Sequence, residues 1–269
     1  MNSSLDDIKV VVRGAGELAS GVILRLTVSG YKVIALEMEN PECVRRAVCF
    51  AEAVYDGEKT IERVNAKLAG SENDLIVIID DGNVPVLIDP DGKYLKTKPD
   101  ILIDARMLKR DIDMSMDMAE FVIGLGPGFT VGKNCHAAVE TNRGNDLGRV
   151  LYNGSPETNT GIPGALAGKT TERVLRAPIA GIFSSPKQIG DQVKAGEEVG
   201  LISDRSVRCR IAGILRGLLR DGSSVRENQK IGDIDPRGIR EDSFKISDKA
   251  NAVAGGALEA VLVLGRKLF

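Results

Sequence analysis

The segment RGAGE at residues 13–17 has residue types and spacing that suit the binding of a phosphate group. Gly14, Gly16 and Ala19 match the pattern G-x-G-x-x-(G/A). In that pattern two glycines let the backbone turn tightly and approach a pyrophosphate, and a small third residue lets the helix pack closely on the strand. The same glycines also suit a turn that serves only strand–helix packing, so the pattern alone leaves both interpretations open.

A carboxylate follows at the distance that a nucleotide site requires. Glu37 ends the next apolar run, about 20 residues beyond the glycines, where an acidic side chain accepts hydrogen bonds from a ribose and disfavours a 2′-phosphate. NAD is therefore favoured over NADP. Glu17 would repel a phosphate if it turned inward, and Arg13 could offset that charge. Arg45 and Arg46 either add to the site or lie on the solvated surface.

A second glycine loop follows a later apolar run. Residues 121–129 (FVIGLGPGF) combine a buried strand with a turn whose backbone N–H groups would face the same crevice as the first loop. The predicted ligand-binding residues are Arg13, Gly14, Ala15, Gly16, Glu17, Glu37, Gly126 and Gly128.

Three candidate catalytic residues follow predicted strands. Glu140 and Arg143 belong to a polar run, ETNRGNDLGR at 140–149, which has no helical or strand period and is typical of a site loop. Asp104 ends another apolar run, at the edge where open α/β sheets bind ligands. The basic residues after it fit an anion site and a solvated helix face equally well; they are Arg106, Lys109 and Arg110.

Composition excludes several classes of protein. The chain has 269 residues and a formal net charge of −2, which gives no overall field for nucleic acid or an anionic membrane. The cysteines form no C-x-x-C pair and His136 is the only histidine, so we predict no metal site and no catalytic pair with the adjacent Cys135. The first residues lack the features of a secretory signal and no run is long enough to span a membrane, so a cytoplasmic protein is expected.

Hydrophobic periodicity predicts an α/β fold, with a Rossmann-like parallel-sheet domain at residues 1–150. A β-α-β unit is predicted from a strand at 8–12, a helix ending at a left-handed Gly30, and a strand at 32–36. Further strands are predicted at 75–79, 84–88 and 101–104.

The second half contains a repeat. Residues 151–173, rich in Gly, Thr, Asn and Pro, are predicted to be a linker. Beyond it, glycine and valine positions recur at an offset of 32 residues (212 minus 180): Ala180-Gly-Ile, Gly190, Val193 and Gly200 return as Ala212-Gly-Ile, Gly222, Val225 and Gly232. The short strands between these glycine turns predict two interlocked antiparallel halves around one small core.

Residues 174–236 resemble the lipoyl/biotinyl barrel-sandwich hybrid. In that family a modifiable lysine lies between the two halves, whereas the joining segment here, residues 201–207, contains none. Covalent biotin or lipoate is therefore not expected, and the resemblance implies a rigid docking module. Residues 237–269 are predicted to form a C-terminal helix that is capped by Ser247 and packs back on the first domain. Gly255 and Gly256 indicate the close approach of another backbone.

Across nearly its whole length the chain resembles the YqeB-type family associated with selenium-dependent molybdenum hydroxylases. The motifs that carry the resemblance are RGAGELASGV (13–22), RRAVCFAEAVYDG (45–57), GLGPGF (124–129), ETNRGNDLGRV (140–150), NTGIPG (159–164), RVLRAPIAGIF (173–183), IGDIDPR (231–237) and SDKANAVAGGALEA (247–260). One position departs, because Asn145 stands where the family pattern has histidine.

The resemblance implies an accessory protein that helps to assemble, insert or activate the cofactor of a selenium-dependent, xanthine-dehydrogenase-like hydroxylase, its client. The residues add a nucleotide-type ligand, either NAD or a molybdopterin-type nucleotide, at the glycine-rich crevice. An NAD-dependent oxidoreductase and a non-enzymatic docking scaffold are the alternatives. The sequence leaves open whether a reaction is catalysed and whether the protein forms homo-oligomers.

Overall fold

The computed structural model describes residues 8–108, 112–159, 161 and 164–268, and it divides them into two compact units. The α/β unit contains the described residues up to Pro41, then Phe50–Asn159, then those from Ile246 onward. The β unit contains Glu42–Cys49 and the described residues from 161 to Lys245. Within these ranges no helix has the length and apolar character that crossing a membrane would require.

A mixed sheet, largely parallel, forms the centre of the α/β unit. Its strands are β1 (Lys9–Arg13), β2 (Lys32–Glu37), β3 (Glu58–Ile61), β4 (Val64–Ala69), β5 (Val84–Ile88), β6 (Ile101–Asp104), β7 (Phe121–Leu125), β8 (Ala137–Val139) and β9 (Val150–Leu151). In the described residues their order is β3-β4-β5-β2-β1-β6-β7-β8-β9, with antiparallel pairs only at the two edges. β1 is central and parallel to both neighbours, which explains why its apolar run is buried on both faces.

Helices cover both faces of this sheet. The described helices are α1 (Glu17–Val28), α2 (Ala53–Asp56), α3 (Glu72–Asp80) and α4 (Asp248–Gly265). Leu75 and Ile78 of α3 join the apolar cluster formed by Val11, Leu102 and other side chains of one face. On the opposite face α4 packs beside α1, with Gly265 close to Ile101. The predicted mixed α/β fold with a C-terminal helix is confirmed.

The strand predicted at 75–79 is wrong, because these residues lie in α3. The Ser71 hydroxyl accepts a hydrogen bond from the Asp74 N–H and so caps the helix. Leu75 and Ile78 are buried at helical spacing, whereas Ile76 and Val77 are exposed. Capping and amphipathic burial therefore override the β-propensity of the run LIVII.

Strands of the β unit follow the 32-residue repeat. They are β10 (Val174–Arg176), β11 (Gly181–Ser184), β12 (Gln192–Val193), β13 (Glu198–Ile202), β14 (Arg205–Arg208), β15 (Gly213–Leu218), β16 (Ser224–Val225) and β17 (Lys230–Asp235). One described sheet has the order β10-β17-β15-β12 and the other β14-β13-β11-β16, so each sheet takes strands from both halves. Gly181 and Gly213 have matching φ values of +159° and +157°. The barrel-sandwich assignment itself stays a resemblance.

Residues 42–49 complete the β unit from a distant part of the sequence. Val44 and Ala47 pack against its core, and the Val44 carbonyl accepts a hydrogen bond of 2.8 Å from the Leu218 N–H. The Arg46 side chain donates to the Leu218 carbonyl at 2.9 Å. No pattern in the sequence predicts that residues 42–49 belong to the β unit.

The two glycines of α4 occupy different surroundings. A Cβ on Gly256 would lie well under 3.0 Å from the Gly148 carbonyl oxygen, whereas a Cβ on Gly255 would meet nothing within 4 Å. The expected close approach of another backbone therefore occurs at Gly256. Position 148 also requires glycine, because its φ is +82° and a Cβ there would overlap the Ala252 carbonyl.

This difference yields a prediction for a pair of adjacent substitutions. Gly256→Ala should lower the free energy of unfolding by about 1–3 kcal/mol, because the backbone at Gly148 must shift to admit the methyl group. Gly255→Ala should raise it by roughly 0.5–1 kcal/mol through helix propensity alone. Urea unfolding followed by circular dichroism measures both; a neutral or stabilising Gly256→Ala would contradict the observed packing.

Candidate functional site

The strand order of the sheet changes direction between β1 and β6. From β1 the chain proceeds to β2 on one side, and it later returns to add β6, β7 and β8 on the other. Such a topological switch point opens a crevice at the carboxyl ends of the strands, where open α/β sheets bind their ligands. In register, Arg13 at the end of β1 pairs with Leu36 of β2 and with Asp104 of β6.

The glycine turn after β1 is partly bonded to its own chain. The Gly14 N–H donates to the Leu36 carbonyl at 2.7 Å, and the Ala15 N–H donates to Glu37 Oε2 at 2.7 Å. Gly14 has a φ of +96°, and a Cβ there would lie 3.3 Å from Arg106 Cα, so both conformation and space require glycine. Two of the turn's amides are thus unavailable to a ligand.

Glu37 holds the turn in place. Its Oε1 accepts a hydrogen bond of 2.8 Å from the Met38 N–H, while Oε2 accepts the one from Ala15. Burial raises the pKa of Glu37, although both backbone donors favour the charged form. The structure assigns Glu37 this positioning contact, and the predicted contact with a ribose stays a prediction.

The N-terminus of α1 lies directly after this glycine turn. Gly16 is the N-cap with φ −68° and ψ −173°, and no side chain caps the helix. Among the described residues its N–H has no hydrogen-bond partner, while its carbonyl accepts from the Ser20 N–H. Glu17 occupies the first turn. Helix N-termini of this kind attract phosphate through unpaired amides and the helix dipole.

Two arginines and two aspartates form an ion-pair network beside this turn. Asp104, which is 2% exposed, accepts bonds from Arg106 Nε at 3.1 Å and Arg106 NH2 at 2.6 Å. Asp113 bridges the two arginines, with Oδ1 2.5 Å from Arg106 NH2 and Oδ2 3.1 Å from Arg13 NH2. Arg13 is buried and also donates to the Pro90 carbonyl at 3.3 Å.

Asp113 is held ionised by its partners. Partial burial raises its pKa, but hydrogen bonds from Arg106 and Arg13 and the charges of both arginines lower it to about 2. The sequence analysis missed this residue, since it lies on an irregular segment nine positions beyond the end of β6 (113 minus 104). Arg106 belongs to this ion-pair network, and Lys109 and Arg110 lie outside the described residues.

The second glycine loop lies at the same edge of the sheet. The Gly126 N–H donates to the Val139 carbonyl at 2.9 Å, and a Cβ on Gly126 would lie 2.5 Å from Thr141 Oγ1 and 3.2 Å from Met107 Cε. Gly128 has a φ of +98°, and its carbonyl accepts from the Asn134 side chain at 3.2 Å. Residues 106–107 therefore contact both glycine loops.

Glu140 organises the polar loop that follows β8. It is 3% exposed; Oε1 accepts from the Thr141 and Asn142 N–H groups at 2.6 Å each, and Oε2 accepts from the Glu157 N–H at 2.7 Å. Arg143 pairs with Asp248 at the start of α4, through bonds of 2.7 and 2.9 Å. The three candidate catalytic residues, Glu140, Arg143 and Asp104, therefore all make structural contacts, and Arg143 of the polar loop contacts the start of α4.

Arg45 and Arg46 belong to the β unit. Arg45 is 4% exposed and donates to the carbonyls of Asp242, Ser243 and Lys245 at 3.3–3.5 Å. The expectation of solvated surface arginines is wrong for Arg45, because the segment carrying it packs into that unit.

Cys135 and His136 show no catalytic pairing. Burial raises the pKa of Cys135 to about 12, and His136 Nδ1 accepts a hydrogen bond of 2.9 Å from the Val122 N–H. Over the part of the chain that the structure describes, no group of three or more His, Cys, Asp or Glu side chains could hold a metal ion.

The contacts of Glu140 predict a structural role that can be measured. Glu140→Gln replaces an acceptor by a donor among three backbone N–H groups, so it should lower the free energy of unfolding by about 1–3 kcal/mol. Glu157→Gln makes the same chemical change on an exposed side chain of the same region and should alter it by less than about 0.5 kcal/mol. Equal effects of the two substitutions in urea unfolding would contradict this role.

Acid should remove the contribution of Asp113. Its folded-state pKa of about 2 lies below the ordinary 3.8, so its ion pairs stabilise the fold fully above that range. This stability is lost as the pH falls through the folded-state pKa. The unfolding free energies of the wild type and of Asp113→Asn should therefore differ at neutral pH and converge toward pH ~2. Parallel curves in urea titrations would show that the ion pairs contribute nothing.

Comparison with known proteins finds one extensive similarity. The chain is 49% identical over 256 residues to Uncharacterized protein YqeB of Escherichia coli strain K12, an alignment that covers 95% of this chain and 47% of that protein. The chain thus spans about half the length of the curated relative it matches. No family model matches.

Solved structures share only a weak likeness with the chain. A succinylglutamate desuccinylase/aspartoacylase from Rhodobacter sphaeroides is 18% identical, with a TM-score of 0.22 over 54% of this chain and 60% of that one. An aspartoacylase family protein from Mesorhizobium loti is 11% identical, with a TM-score of 0.25 over 79% of this chain and 59% of that one. These values support no inference about fold or function. The similarity to YqeB supports the resemblance to YqeB-type proteins that the sequence motifs indicate.

Proposed function

We propose that the chain is an accessory protein for the cofactor of selenium-dependent molybdenum hydroxylases and binds a phosphate-bearing, nucleotide-type ligand at the β1–β6 switch point. The accessory role is inferred from the resemblance of the chain's motifs to YqeB-type proteins. Ligand binding is inferred from one observation at the edge of the sheet: the N-terminus of α1, which has no side-chain cap, lies beside two arginines at the switch point.

The anion-binding groups differ from those in the simplest form of the motif. Because Gly14 and Ala15 donate to the chain itself, the phosphate would be bound by the Gly16 amide and the helix dipole at the start of α1. Arg13 and Arg106 supply positive charge in the same crevice, since the backbone of Arg106 contacts Gly14. This arrangement suits the pyrophosphate of NAD or of a molybdopterin-type nucleotide. In the accessory role, the β unit would dock a client hydroxylase.

No specific observation favours the oxidoreductase alternative. Glu140 and Asp104, the acids considered for proton transfer, are engaged by backbone N–H groups and by Arg106. A docking scaffold without a ligand is the remaining alternative. Native mass spectrometry of the purified protein separates the two, because a retained nucleotide or pterin supports the proposal and a bare chain favours the scaffold.

A pair of N-cap substitutions tests the ligand site. Gly16 has backbone angles open to any residue, and Asp and Asn are equally good N-caps, so Gly16→Asp and Gly16→Asn should both retain the fold. The Asp carboxylate would occupy the amides and repel phosphate, and we expect it to weaken binding of pyrophosphate and NAD by roughly 10-fold or more relative to Asn. Calorimetric titration measures the affinities, and urea unfolding verifies the fold. Equal affinities of the two folded variants would contradict the site.

A further inference from the structure

The guanidinium of Arg13 is an unusual group to find at the end of a central strand. Its side chain is 2% exposed, and its contacts are the Pro90 carbonyl, the Met114 sulfur at 3.4 Å and one Asp113 oxygen. A buried guanidinium requires a charged partner, since its desolvation is costly. That partner comes from an exposed carboxylate on an irregular segment, not from the sheet itself.

The two aspartates balance the charge of the two arginines, and they differ in burial. Asp104 is buried on the neighbouring strand β6 and holds Arg106 through two side-chain bonds. Asp113 is 56% exposed and supplies the other negative charge, one oxygen to each arginine. Asp104 is therefore a fixed part of the sheet, whereas Asp113 is exchangeable because water can solvate it once it leaves.

We infer that Arg13 and Arg106 form a phosphate subsite that Asp113 fills in the unliganded protein, and that a phosphate of the bound ligand displaces the Asp113 carboxylate. The inference rests on the proposed nucleotide-type ligand and identifies which side chains recognise its charge. It also assigns Asp113 a regulatory role, since its carboxylate competes with the ligand's phosphate for the two arginines.

The geometry suits a phosphate better than a carboxylate. The two guanidinium groups converge on Asp113 from Arg13 and Arg106, and each takes one of its two oxygens. A phosphoryl group offers a third oxygen and up to two charges to the same donors. Gly14 lies against the backbone of Arg106, and the N-cap of α1, Gly16, follows two residues later.

The wall around Arg13 is built for this guanidinium. A Cβ on Gly92 would lie 3.4 Å from Arg13 Cζ and 3.0 Å from Leu95 Cδ1, at a φ of +69°. The buried Asp89 fixes the turn by accepting the Lys93 and Tyr94 N–H groups at 2.8 and 2.7 Å. Arg13 therefore stays in position when Asp113 leaves, and the subsite is preorganised.

A resident carboxylate lowers affinity for every anion, because the competent state is only the fraction in which Asp113 is displaced. A singly charged ligand only replaces the single charge of the Asp113 carboxylate, so its binding gains little free energy. Ligands with a pyrophosphate compensate by binding both arginines and the helix N-terminus. Asp113 thus selects doubly charged phosphates over carboxylates and simple salts.

The test is calorimetric titration of inorganic pyrophosphate into the full chain at neutral pH. Asp113→Asn should bind pyrophosphate about 10-fold or more tightly than the wild type, because the competitor is gone. Asp117→Asn is the matched control, since it removes the same charge from an exposed carboxylate that pairs with Ser115 and should leave the affinity unchanged. An Asp113→Asn affinity equal to that of the wild type would overturn the inference.

Hydrogen–deuterium exchange of the wild type provides a readout that requires no variant. Saturating pyrophosphate should slow exchange in residues 14–20 and speed it in residues 112–116, as Asp113 is released. Unchanged exchange in 112–116 would overturn the inference even if Asp113→Asn fails to fold.

The Gly16 variants keep the two proposals separable. Loss of pyrophosphate binding in Gly16→Asp, together with unchanged binding in Asp113→Asn, supports the ligand site and overturns the displacement. Tighter binding in Asp113→Asn that Gly16→Asp does not weaken supports the arginine subsite and overturns the helix N-terminus as the ligand site.

Discussion

The need to satisfy a buried guanidinium at the end of β1 determines the structure of the candidate site. β1 is flanked on both sides, so Arg13 cannot reach solvent and must find its partners within the edge of the sheet. Those partners come from the connection after β5 and from the segment after β6. Arg13, at the end of β1, therefore contacts the segments that follow β5 and β6. In the turn after β5, Gly92 leaves room for the guanidinium.

A second constraint is the way the face beside α1 is covered. Doubly wound sheets commonly use crossover helices between successive parallel strands for this purpose. In the described residues that connect β5 to β6 and β6 to β7, the helical segments are short 3₁₀ turns, and α4 from the end of the chain lies beside α1 instead. Its packing requires close backbone contacts at Gly21 and Gly256. The polar loop at 140–149 is held by the same helix, through Gly148 and through the Arg143–Asp248 pair.

Sequence reasoning succeeded where local pattern and tertiary packing demand the same thing. The β1-α1-β2 unit, the left-handed Gly30 and the Ser247 cap follow from periodicity and capping rules, and all occur as predicted. It failed where a local signal was overlooked and where distant partners decide. The hairpin β3–β4 turns at Glu62 and Arg63 without a glycine, and the run at 75–79 forms a helix because its first turn is capped. The sequence of residues 42–49 has no local pattern that indicates their place in the β unit.

The predicted site residues divide in the same way. Gly14, Gly126 and Gly128 were located from spacing alone, and each of them has a positive φ, which favours glycine. The roles of the acids were beyond reach, since a carboxylate in the sequence looks the same whether it accepts backbone N–H groups or binds a ligand. Asp113 had no periodic or motif signal, and only the folded chain brings it to Arg13 and Arg106.

The carboxylates of the α/β unit differ in how firmly they are bound, and this difference is what makes one of them a candidate switch. Glu140 is buried and accepts three backbone N–H groups, and Glu37 accepts two, so removing either carboxylate leaves amide donors unsatisfied. Within the part of the chain that the structure describes, Asp113 bonds only to side chains; it is half exposed and lies on a segment without regular structure. In our proposal, a ligand's phosphate replaces this carboxylate while the backbone contacts of Glu37 and Glu140 stay in place. Burial thus separates Glu37 and Glu140, which maintain the edge of the sheet, from Asp113, which we propose a ligand displaces.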